Sequence, residues 1–197
     1  VYGLTIGEYA KMINNEGWLK NSMKSNLIII ELKNYDRYEE YELPIIPSPN
    51  LPNKKSVNLY PSLCLFEGTN VSAGRGTDLQ FQIYGSPFLN KNKNNFRFTP
   101  KKNSGSKYPK HENILCYGKN LSKIEKLEKF DLSFILTAYA DTSNKKDFFN
   151  NYFNKLAGTE SLKNQIIDGV SEDKIVQTWK KKLDIYKKMR TKYLIYK

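Results

Sequence analysis

Acidic, amide and guanidinium side chains occur close together in residues 60–77. The apolar run 63–66 ends at Glu67, and Asn70 and Arg75 follow among three glycines. An apolar run is typical of a buried element, and a glycine-rich polar segment is typical of a loop at its end. Such a loop can present its polar groups to a ligand, and the planar fork of Arg75 can bind an anion. The alternative is a tight structural loop in which Glu67 and Arg75 pair with each other.

A second carboxylate in a recognisable local motif is Glu8. Residues 4–13 carry apolar side chains at helical spacing, and Thr5 and Glu8 have the spacing of a capping box. Gly17 is expected to end this helix. In the structural interpretation, the Glu8 carboxylate accepts hydrogen bonds from the helix N-terminus. In the functional interpretation, the helix dipole keeps Glu8 ionised, which suits a base or an electrostatic stabiliser.

Bulk composition indicates one sizeable folded domain. The 197 residues are 39% hydrophobic and 13% aromatic, which is not a disordered composition. The net charge of +12 is compatible with an anionic partner, but the lysines are scattered among asparagines and form no arginine-rich stripe. Nucleic-acid binding is therefore the least favoured interpretation. No apolar run reaches the length of about 18 residues that a membrane span needs. The absence of a signal peptide and an initiator Met suggests a fragment or a processed form.

The cysteines and the single histidine give little support for nucleophilic catalysis. Cys64 and Cys116 either form a disulfide or remain two free buried thiols. His111 lies in the polar segment 104–112, where we expect a solvated loop side chain. Because Ser-His-Asp and Cys-His mechanisms would depend on this residue, we discount both.

The elements that must position these side chains are of mixed type. Residues 27–32 predict a buried strand, and the four prolines in 43–52 predict a stiff extended segment that contains Asn50. A short helix is expected at 56–60, and a closing strand or extended tail at 193–196. The fold class is therefore α+β (mixed α/β), with a mixed, partly antiparallel sheet and flanking helices. Further strands are predicted at 79–84, 96–99 and 114–117. Further helices are predicted at 131–141, 148–156, 159–167 and from Ser171 onward. The buried side of the last helix is expected to consist of Ile175, Trp179, Leu183 and Tyr186.

Several ordered sequence blocks carry a family resemblance. They are LTIGEYA at 4–10, PSPNLP at 47–52, the whole of 60–77, YGSP at 84–87, FTP at 98–100, LAGT at 156–159 and YLIY at 193–196. With FEGTN and GRGT inside the central block, the chain resembles the C-terminal part of the NamZ-type peptidoglycan exo-β-N-acetylmuramidases. The resemblance covers nearly all of the chain.

This resemblance implies the second lobe of a two-lobed glycosidase. Such enzymes release N-acetylmuramic acid from the non-reducing end of peptidoglycan fragments. The N-terminal Rossmann-like lobe, with its Glu-His-Gly segment and one proposed catalytic glutamate, is expected to be absent. Residues 1–197 would form a single C-terminal domain, alone or with the end of the junction attached, and would be inactive by themselves. The implied partners are a muramyl sugar and the N-terminal lobe, the implied location is periplasmic or secreted, and no metal or organic cofactor is required.

The resemblance also assigns roles to individual residues. Glycoside hydrolysis needs a group that protonates the leaving oxygen and a second group that delivers water or attacks the sugar. Glu8 matches a proposed catalytic glutamate of the family, and partial burial at the end of the apolar run would suit Glu67 to proton donation. Arg75 is expected to pair with the lactyl carboxylate of the substrate. The other expected substrate contacts are Asn70, Asn50, Tyr60 and Tyr84, although core packing is the commoner position of such tyrosines.

Two alternatives to the enzyme stay open at this point. One is a carbohydrate-binding or lobe-packing module without activity, and the other is the basic nucleic-acid binder. A nucleic-acid binder would lose affinity steeply with salt, whereas a muramyl site would select its sugar.

Overall fold

The computed structural model describes residues 3–196, which divide into two compact units. The larger unit is Glu42–Ile175, and the smaller contains the described residues of Val1–Tyr41 and Val176–Lys197. Among the described residues, no helix is both long and apolar enough to cross a membrane. In chain order the helices are α1 (Ile6–Asn15), α2 (Lys54–Leu63), α3 (Ser133–Asp141), α4 (Phe153–Ala157), α5 (Ser161–Ile167) and α6 (Glu172–Thr191), the strands are β1 (Ile83–Ser86), β2 (Phe96–Phe98) and β3 (Cys116–Asn120), and short 3-10 helices cover Lys20–Ser22 and Cys64–Gly68.

A small antiparallel sheet is the centre of the larger unit. The strand order is β1-β3-β2, and Gly85 of β1 lies opposite Gly118 of β3. A Cβ on Gly118 would lie 1.8 Å from the carbonyl oxygen of Tyr84, so the close approach of these strands requires glycine there. The sheet and the surrounding helices confirm the α+β fold class. The predicted strand at 96–99 is confirmed, whereas those predicted at 79–84 and 114–117 begin later, at Ile83 and Cys116.

The apolar run 63–66 is buried, as predicted. It ends α2 and enters the 3-10 helix Cys64–Gly68, and both Leu63 and Phe66 are 0% exposed. The Phe66 ring stacks on Tyr84, with 4.9 Å between the ring centroids. This contact ties the 3-10 helix to the sheet, so the polar loop that follows Phe66 starts from a fixed point. The remaining core of this unit includes Leu59, Val71, Ile83, Cys116, Leu132, Ile135, Phe148, Phe153 and Ile166.

The smaller unit confirms the first helix and contradicts the first strand. Helix α1 has Thr5 as its N-cap, with both hydrogen bonds of the predicted capping box. Residues 27–32 form no strand, and Ile28 and Ile30 are 82% and 91% exposed. Among the described residues, no other segment pairs its backbone with this one. The prediction of a buried strand was wrong because a β-branched apolar run shows that a segment suits a sheet, not that a partner strand is present.

The C-terminal helices differ from the predictions in length and burial. Helix α4 is only Phe153–Ala157, because Phe149 forms an isolated β-bridge with Thr69 and residues 151–152 form a turn ahead of the helix. In α6, Ile175 is fully buried but Leu183 is 46% exposed, so the predicted buried face does not continue along the helix. Residues 193–196 are not a strand: Tyr193 lies in the turn after α6, and 194–196 form a tail without regular secondary structure.

Candidate functional site

The loop after Phe66 is held by backbone hydrogen bonds on both sides. The N–H of Asn70 donates to the carbonyl of Phe148 at 2.7 Å, and Ser72 and Gly85 exchange two bonds of 2.8 and 2.9 Å. Further along, Gly74 and Gly76 have φ values of +80° and +81°. Residues with a side chain rarely adopt this conformation, so the two glycines allow the chain to reverse around Arg75.

Glu67 and Arg75 meet across this loop and form the pair that the structural alternative described. The Nη1 of Arg75 donates to Oε1 of Glu67 at 2.6 Å. The side chains are 42% and 26% exposed for Arg75 and Glu67, so the pair is open to solvent. It lies at a hollow of about 290 Å³, here called the Arg75 hollow, whose lining includes Phe66, Glu67, Arg75, Ser106, Tyr108 and Lys110.

Lys110 is a charged residue of this hollow that the sequence analysis did not single out. Its ammonium donates to the carbonyls of Phe66, Thr69 and Val71. An ammonium has three donors, so these three acceptors match it in number. Burial lowers the pKa of Lys110 to about 8, against the opposing effect of the nearby Glu67 carboxylate. Lys110 therefore fixes the backbone that carries Glu67, and no local motif marks it because its acceptors are about 40 residues away in the sequence.

His111, next to Lys110, is more enclosed than expected. Its Nε2 lies 2.6 Å from the carbonyl oxygen of Asn70 and 3.5 Å from Oγ of Ser86. Because a carbonyl only accepts, Nε2 carries the proton in this contact. Burial lowers the pKa of His111, which favours the neutral ring. The prediction of a solvated loop histidine was wrong, since the segment folds back onto the loop that follows Phe66.

The two predicted asparagines lie near the hollow, but neither belongs to its lining. Both polar atoms of the Asn70 side chain are buried without a hydrogen-bond partner in the described structure. Asn50 donates from Nδ2 to the carbonyl of Gly105 at 2.7 Å, and its Oδ1 is buried and unpaired. Buried amide atoms without partners are uncommon, which leaves both side chains with unused hydrogen-bonding capacity.

The two predicted tyrosines pack against other aromatic rings. Tyr60 is 38% exposed, and its ring centroid lies 4.9 Å from that of Phe81. Tyr84 is 2% exposed and stacks on Phe66 in the core. With so little exposed surface, Tyr84 has no ring face to offer a sugar, and the core alternative describes its position. Tyr84 is therefore a core-packing residue, and Tyr60 is one in part.

Glu8 belongs to the smaller unit, where it is the acceptor at the centre of a hydrogen-bond network. Its side chain is 0% exposed. It accepts from the N–H of Thr5 at 2.7 Å, from Nη2 of Arg37 at 2.6 Å and from the N–H groups of Ile195 and Tyr196 at 2.8 and 3.3 Å. The structural interpretation of the capping box is thus confirmed. The contacts to Arg37 and to the C-terminal tail could not be derived from local spacing.

The protonation state of Glu8 follows from these donors. Burial by itself raises the pKa of Glu8, but the N–H groups of Thr5, Ile195 and Tyr196 and the charge of Arg37 outweigh it. The net effect lowers the pKa of Glu8 to about 2. Glu8 is therefore ionised at neutral pH, as the functional interpretation requires of a base or stabiliser. Whether it converges with Glu67 and Arg75 on one site stays a prediction.

The cysteines are separate thiols. Both Cys64 and Cys116 are free, as in the second of the two alternatives, although only Cys116 is buried and Cys64 is partly exposed. Burial raises the pKa of Cys116 to about 12, so this thiol stays protonated and packs as a small apolar residue.

Comparisons with known proteins agree along the whole chain. A family model described as the C-terminal part of exo-beta-N-acetylmuramidase NamZ matches residues 58–196, and the corresponding N-terminal model matches residues 1–55. The peptidoglycan beta-N-acetylmuramidase NamZ of Bacillus subtilis (strain 168) is 33% identical over 220 residues, which cover 99% of this chain and 50% of that protein.

Two crystal structures of Bacteroides fragilis NCTC 9343 proteins of the DUF1343 family share the fold. One has a TM-score of 0.93 and 42% identity, and the match covers 98% of this chain and 56% of the other. The second has a TM-score of 0.75 at 18% identity with the same coverage, and it shows the fold alone. The chain therefore spans about half the length of the relatives that it matches.

Proposed function

The chain belongs to the NamZ family of exo-β-N-acetylmuramidases, and we propose that it supplies the second lobe of an enzyme releasing N-acetylmuramic acid from the non-reducing end of peptidoglycan fragments. The observation that supports this most directly is that the partly exposed side chains of Glu67 and Arg75 line the same hollow of about 290 Å³. A glycosidase needs a carboxyl group that reaches its substrate, and a muramyl sugar also carries a carboxylate.

Arg75 is the group that recognises this carboxylate. A guanidinium binds a carboxylate through two parallel hydrogen bonds, and the exposed part of the Arg75 side chain faces solvent at the hollow. A substrate carboxylate competes with Glu67 for these donors. A Glu67 carboxyl group released from Arg75 is free to face the leaving oxygen, as a proton donor must.

Glu8 enters the proposal as the second, ionised carboxylate. Its donors hold the negative charge, so it acts as a base or an electrostatic stabiliser and not as an acid. Because its side chain is 0% exposed, contact with a substrate requires the C-terminal tail at Ile195 and Tyr196 to move. The competing role is that of an anchor for this tail, and the Glu8 variant described in the Discussion separates the two.

Asn70, Asn50 and Tyr60 complete the proposed substrate contacts. The unpaired amide atoms of Asn70 and Asn50 match the N-acetyl and hydroxyl groups of the sugar in chemistry, and Tyr60 keeps 38% of its surface exposed. The buried position of Tyr84 gives it a supporting role beneath Phe66.

The proposal extends to domain organisation and location. We assign residues 1–197 to the second lobe with the end of the junction attached. The match of the C-terminal family model to residues 58–196 supports the second lobe, and the match of the N-terminal model to residues 1–55 supports the attached segment. The partner is then the N-terminal lobe of the same enzyme. The substrate places the protein in the cell envelope, either periplasmic or secreted.

The test is turnover of a chromogenic β-muramide by a two-lobed form, in which this chain is joined to the N-terminal lobe. Glu67→Gln should lower kcat at least about 100-fold, the usual scale of lost acid–base catalysis. The matched control is Glu128→Gln, since Glu128 is 79% exposed and paired to Lys126 in the same unit. Unchanged turnover in the Glu67 variant would contradict the proposal, and sugar binding without turnover in the unsubstituted protein would indicate a binding module.

Arg75 is tested by selectivity. Arg75→Ala should weaken binding of N-acetylmuramic acid while leaving binding of N-acetylglucosamine, which lacks the lactyl group, nearly unchanged. Equal weakening of both ligands would show that Arg75 shapes the hollow without recognising the carboxylate.

A further inference from the structure

Tyr108 combines high exposure with a place in the lining of the Arg75 hollow. Its side chain is 86% exposed, and it lines the hollow together with Arg75, Glu67 and Lys110. Scattered exposed apolar residues are ordinary on protein surfaces. An exposed ring beside a hollow that contains a carboxylate and two cations is more specific, because it supplies the apolar surface that these charged groups lack.

The loop that carries Tyr108 is anchored on its N-terminal side. Asn103 and Ser106 exchange two backbone hydrogen bonds of 3.0 and 3.2 Å, and the Asn103 carboxamide oxygen accepts from the N–H groups of Gly105 and Ser106. Asn50 donates to the carbonyl of Gly105 at 2.7 Å. These contacts close a tight turn and fix it to the proline-rich segment.

The C-terminal side of the loop is anchored as firmly. Pro109 restricts the backbone of Tyr108 to extended conformations. The Pro109 ring packs so closely on Gly76 that a Cβ added to Gly76 would lie 2.6 Å from the Cβ of Pro109. The next residue, Lys110, binds three carbonyls of the loop that carries Glu67. The backbone at Tyr108 is therefore fixed on both sides while its ring is left in solvent.

We propose that Tyr108 is the stacking platform of the Arg75 hollow, where the apolar face of the muramyl pyranose ring rests on the Tyr108 ring while its carboxylate pairs with Arg75. The inference rests on the proposed function and deepens it by assigning a substrate-binding residue. A pyranose ring exposes C–H groups on one face, and an aromatic ring buries such a face without requiring a hydrogen bond. Fixing the backbone in advance reduces the entropy lost on binding.

A structural role for the ring has to be separated from this one. The Lys102 ammonium lies 5.8 Å from the centroid of the Tyr108 ring, at cation–π distance. Such a contact at an exposed site is weak. If covering Lys102 were the purpose of the ring, Lys102→Gln would produce the same binding defect as removal of the ring.

The test uses four variants of the two-lobed form: Tyr108→Phe, Tyr108→Leu, Lys102→Gln and Tyr38→Leu. Tyr38 is the matched control, because it is 85% exposed and belongs to the smaller unit. Tyr108→Leu should raise KM for the β-muramide about 10-fold with kcat nearly unchanged, since stacking binds ground state and transition state alike. Tyr108→Phe should retain the KM of the unsubstituted protein, and so should the Lys102 and Tyr38 variants.

Binding of two probes locates the contact within the sugar. Tyr108→Leu should weaken the binding of N-acetylmuramic acid and of N-acetylglucosamine about equally, because both sugars have the pyranose face. Arg75→Ala should weaken mainly the binding of N-acetylmuramic acid. The inference is overturned if KM is unchanged in Tyr108→Leu, or if Lys102→Gln weakens sugar binding as much as Tyr108→Leu does. Either result leaves the proposed function intact. Absence of turnover in the unsubstituted protein overturns the proposed function and this inference with it.

Discussion

Two Glu–Arg pairs among the described residues have the same contact distance and opposite surroundings. Glu8–Arg37 and Glu67–Arg75 each have 2.6 Å between nitrogen and oxygen. Glu8 is 0% exposed and accepts from three backbone N–H groups as well as from Arg37. Glu67 is 26% exposed and opens onto a hollow. A short ion pair therefore says little about its role until the number of other donors and the access of solvent are known.

The difference separates a carboxylate that stabilises the fold from one that is available to a ligand. A buried carboxylate that satisfies several donors is difficult to release, because every donor loses its partner when it leaves. A solvent-exposed pair contributes little to stability and can exchange partners with a ligand. By this criterion Glu8 is a strong structural centre of the smaller unit, and Glu67 is the carboxylate more available for chemistry. The predictions below test this contrast.

The largest expected effect is on stability. Glu8→Gln should lower the free energy of unfolding by about 3 kcal/mol, because it leaves Arg37 without its carboxylate. Glu67→Gln should lower it by less than about 1 kcal/mol, as expected of an exposed pair. Both tryptophans, Trp18 and Trp179, lie in the smaller unit, so their fluorescence during urea denaturation reports the Glu8 variant. Far-UV circular dichroism reports the Glu67 variant.

The same comparison tests the proposed role of Glu8 in catalysis. If Glu8 only anchors the tail, a two-lobed Glu8→Gln protein that stays folded should retain its turnover. A loss of at least about 100-fold in a folded variant would support the catalytic assignment. Equal stability losses in the Glu8 and Glu67 variants would contradict the contrast itself.

Acid should reveal the Glu8 network as a loss of stability within a defined pH range. The pKa of Glu8 is lowered from an ordinary 4.5 to about 2, so the unfolded state binds more protons between these values. The stabilisation is complete above about pH 4.5 and is lost as the pH falls towards 2. Tryptophan-detected urea titrations from pH 6 to pH 2 should show this loss in the unsubstituted protein, and Glu8→Gln should show a smaller slope.

Replacing Lys110 should destabilise the loop at the Arg75 hollow more than replacing an exposed lysine of the same segment. Lys110→Met removes the donor from the carbonyls of Phe66, Thr69 and Val71, and the expected loss is about 2 kcal/mol, since burial of the charge offsets part of the hydrogen bonding. Lys107→Met, at an exposed position of the same loop, should change stability by less than about 0.5 kcal/mol. Hydrogen exchange of residues 66–71 should accelerate in the first variant only. Similar exchange in both would remove Lys110 from this role.

Replacing each arginine by lysine should affect stability less than Glu8→Gln does and should still distinguish the two pairs. Arg37 donates to Glu8 and to the carbonyls of Gly3 and Tyr196, a set that a lysine cannot reproduce, so Arg37→Lys should cost about 1.5 kcal/mol. Arg75→Lys should cost less than about 0.5 kcal/mol. Thermal unfolding of the two variants side by side measures the difference. A larger shift for Arg75→Lys would reverse the comparison.

The sequence predicted the local parts of this structure well. The capping box of α1 and the buried run before Glu67 depend on residues a few positions apart. The Glu67–Arg75 pair, eight positions apart, is the structural alternative that the sequence offered for this loop. The sequence-based predictions failed where a contact with a distant segment of the chain decides the structure. The apolar segment 27–32 has the composition of a strand and no paired strand among the described residues, whereas the equally apolar segment 63–66 is buried.

What the sequence determined by itself is the family, the α+β class, the first helix with its cap, and the loop that brings a carboxylate and a guanidinium together, because these depend on residue order and on contacts within a few positions. Only the tertiary structure decided that Arg37 and the C-terminal tail enclose Glu8, that Lys110 fixes the loop carrying Glu67, and that Tyr108 stands exposed beside Arg75. Burial and charge environment depend on segments far apart in the chain, and the residue types do not specify which of those segments meet.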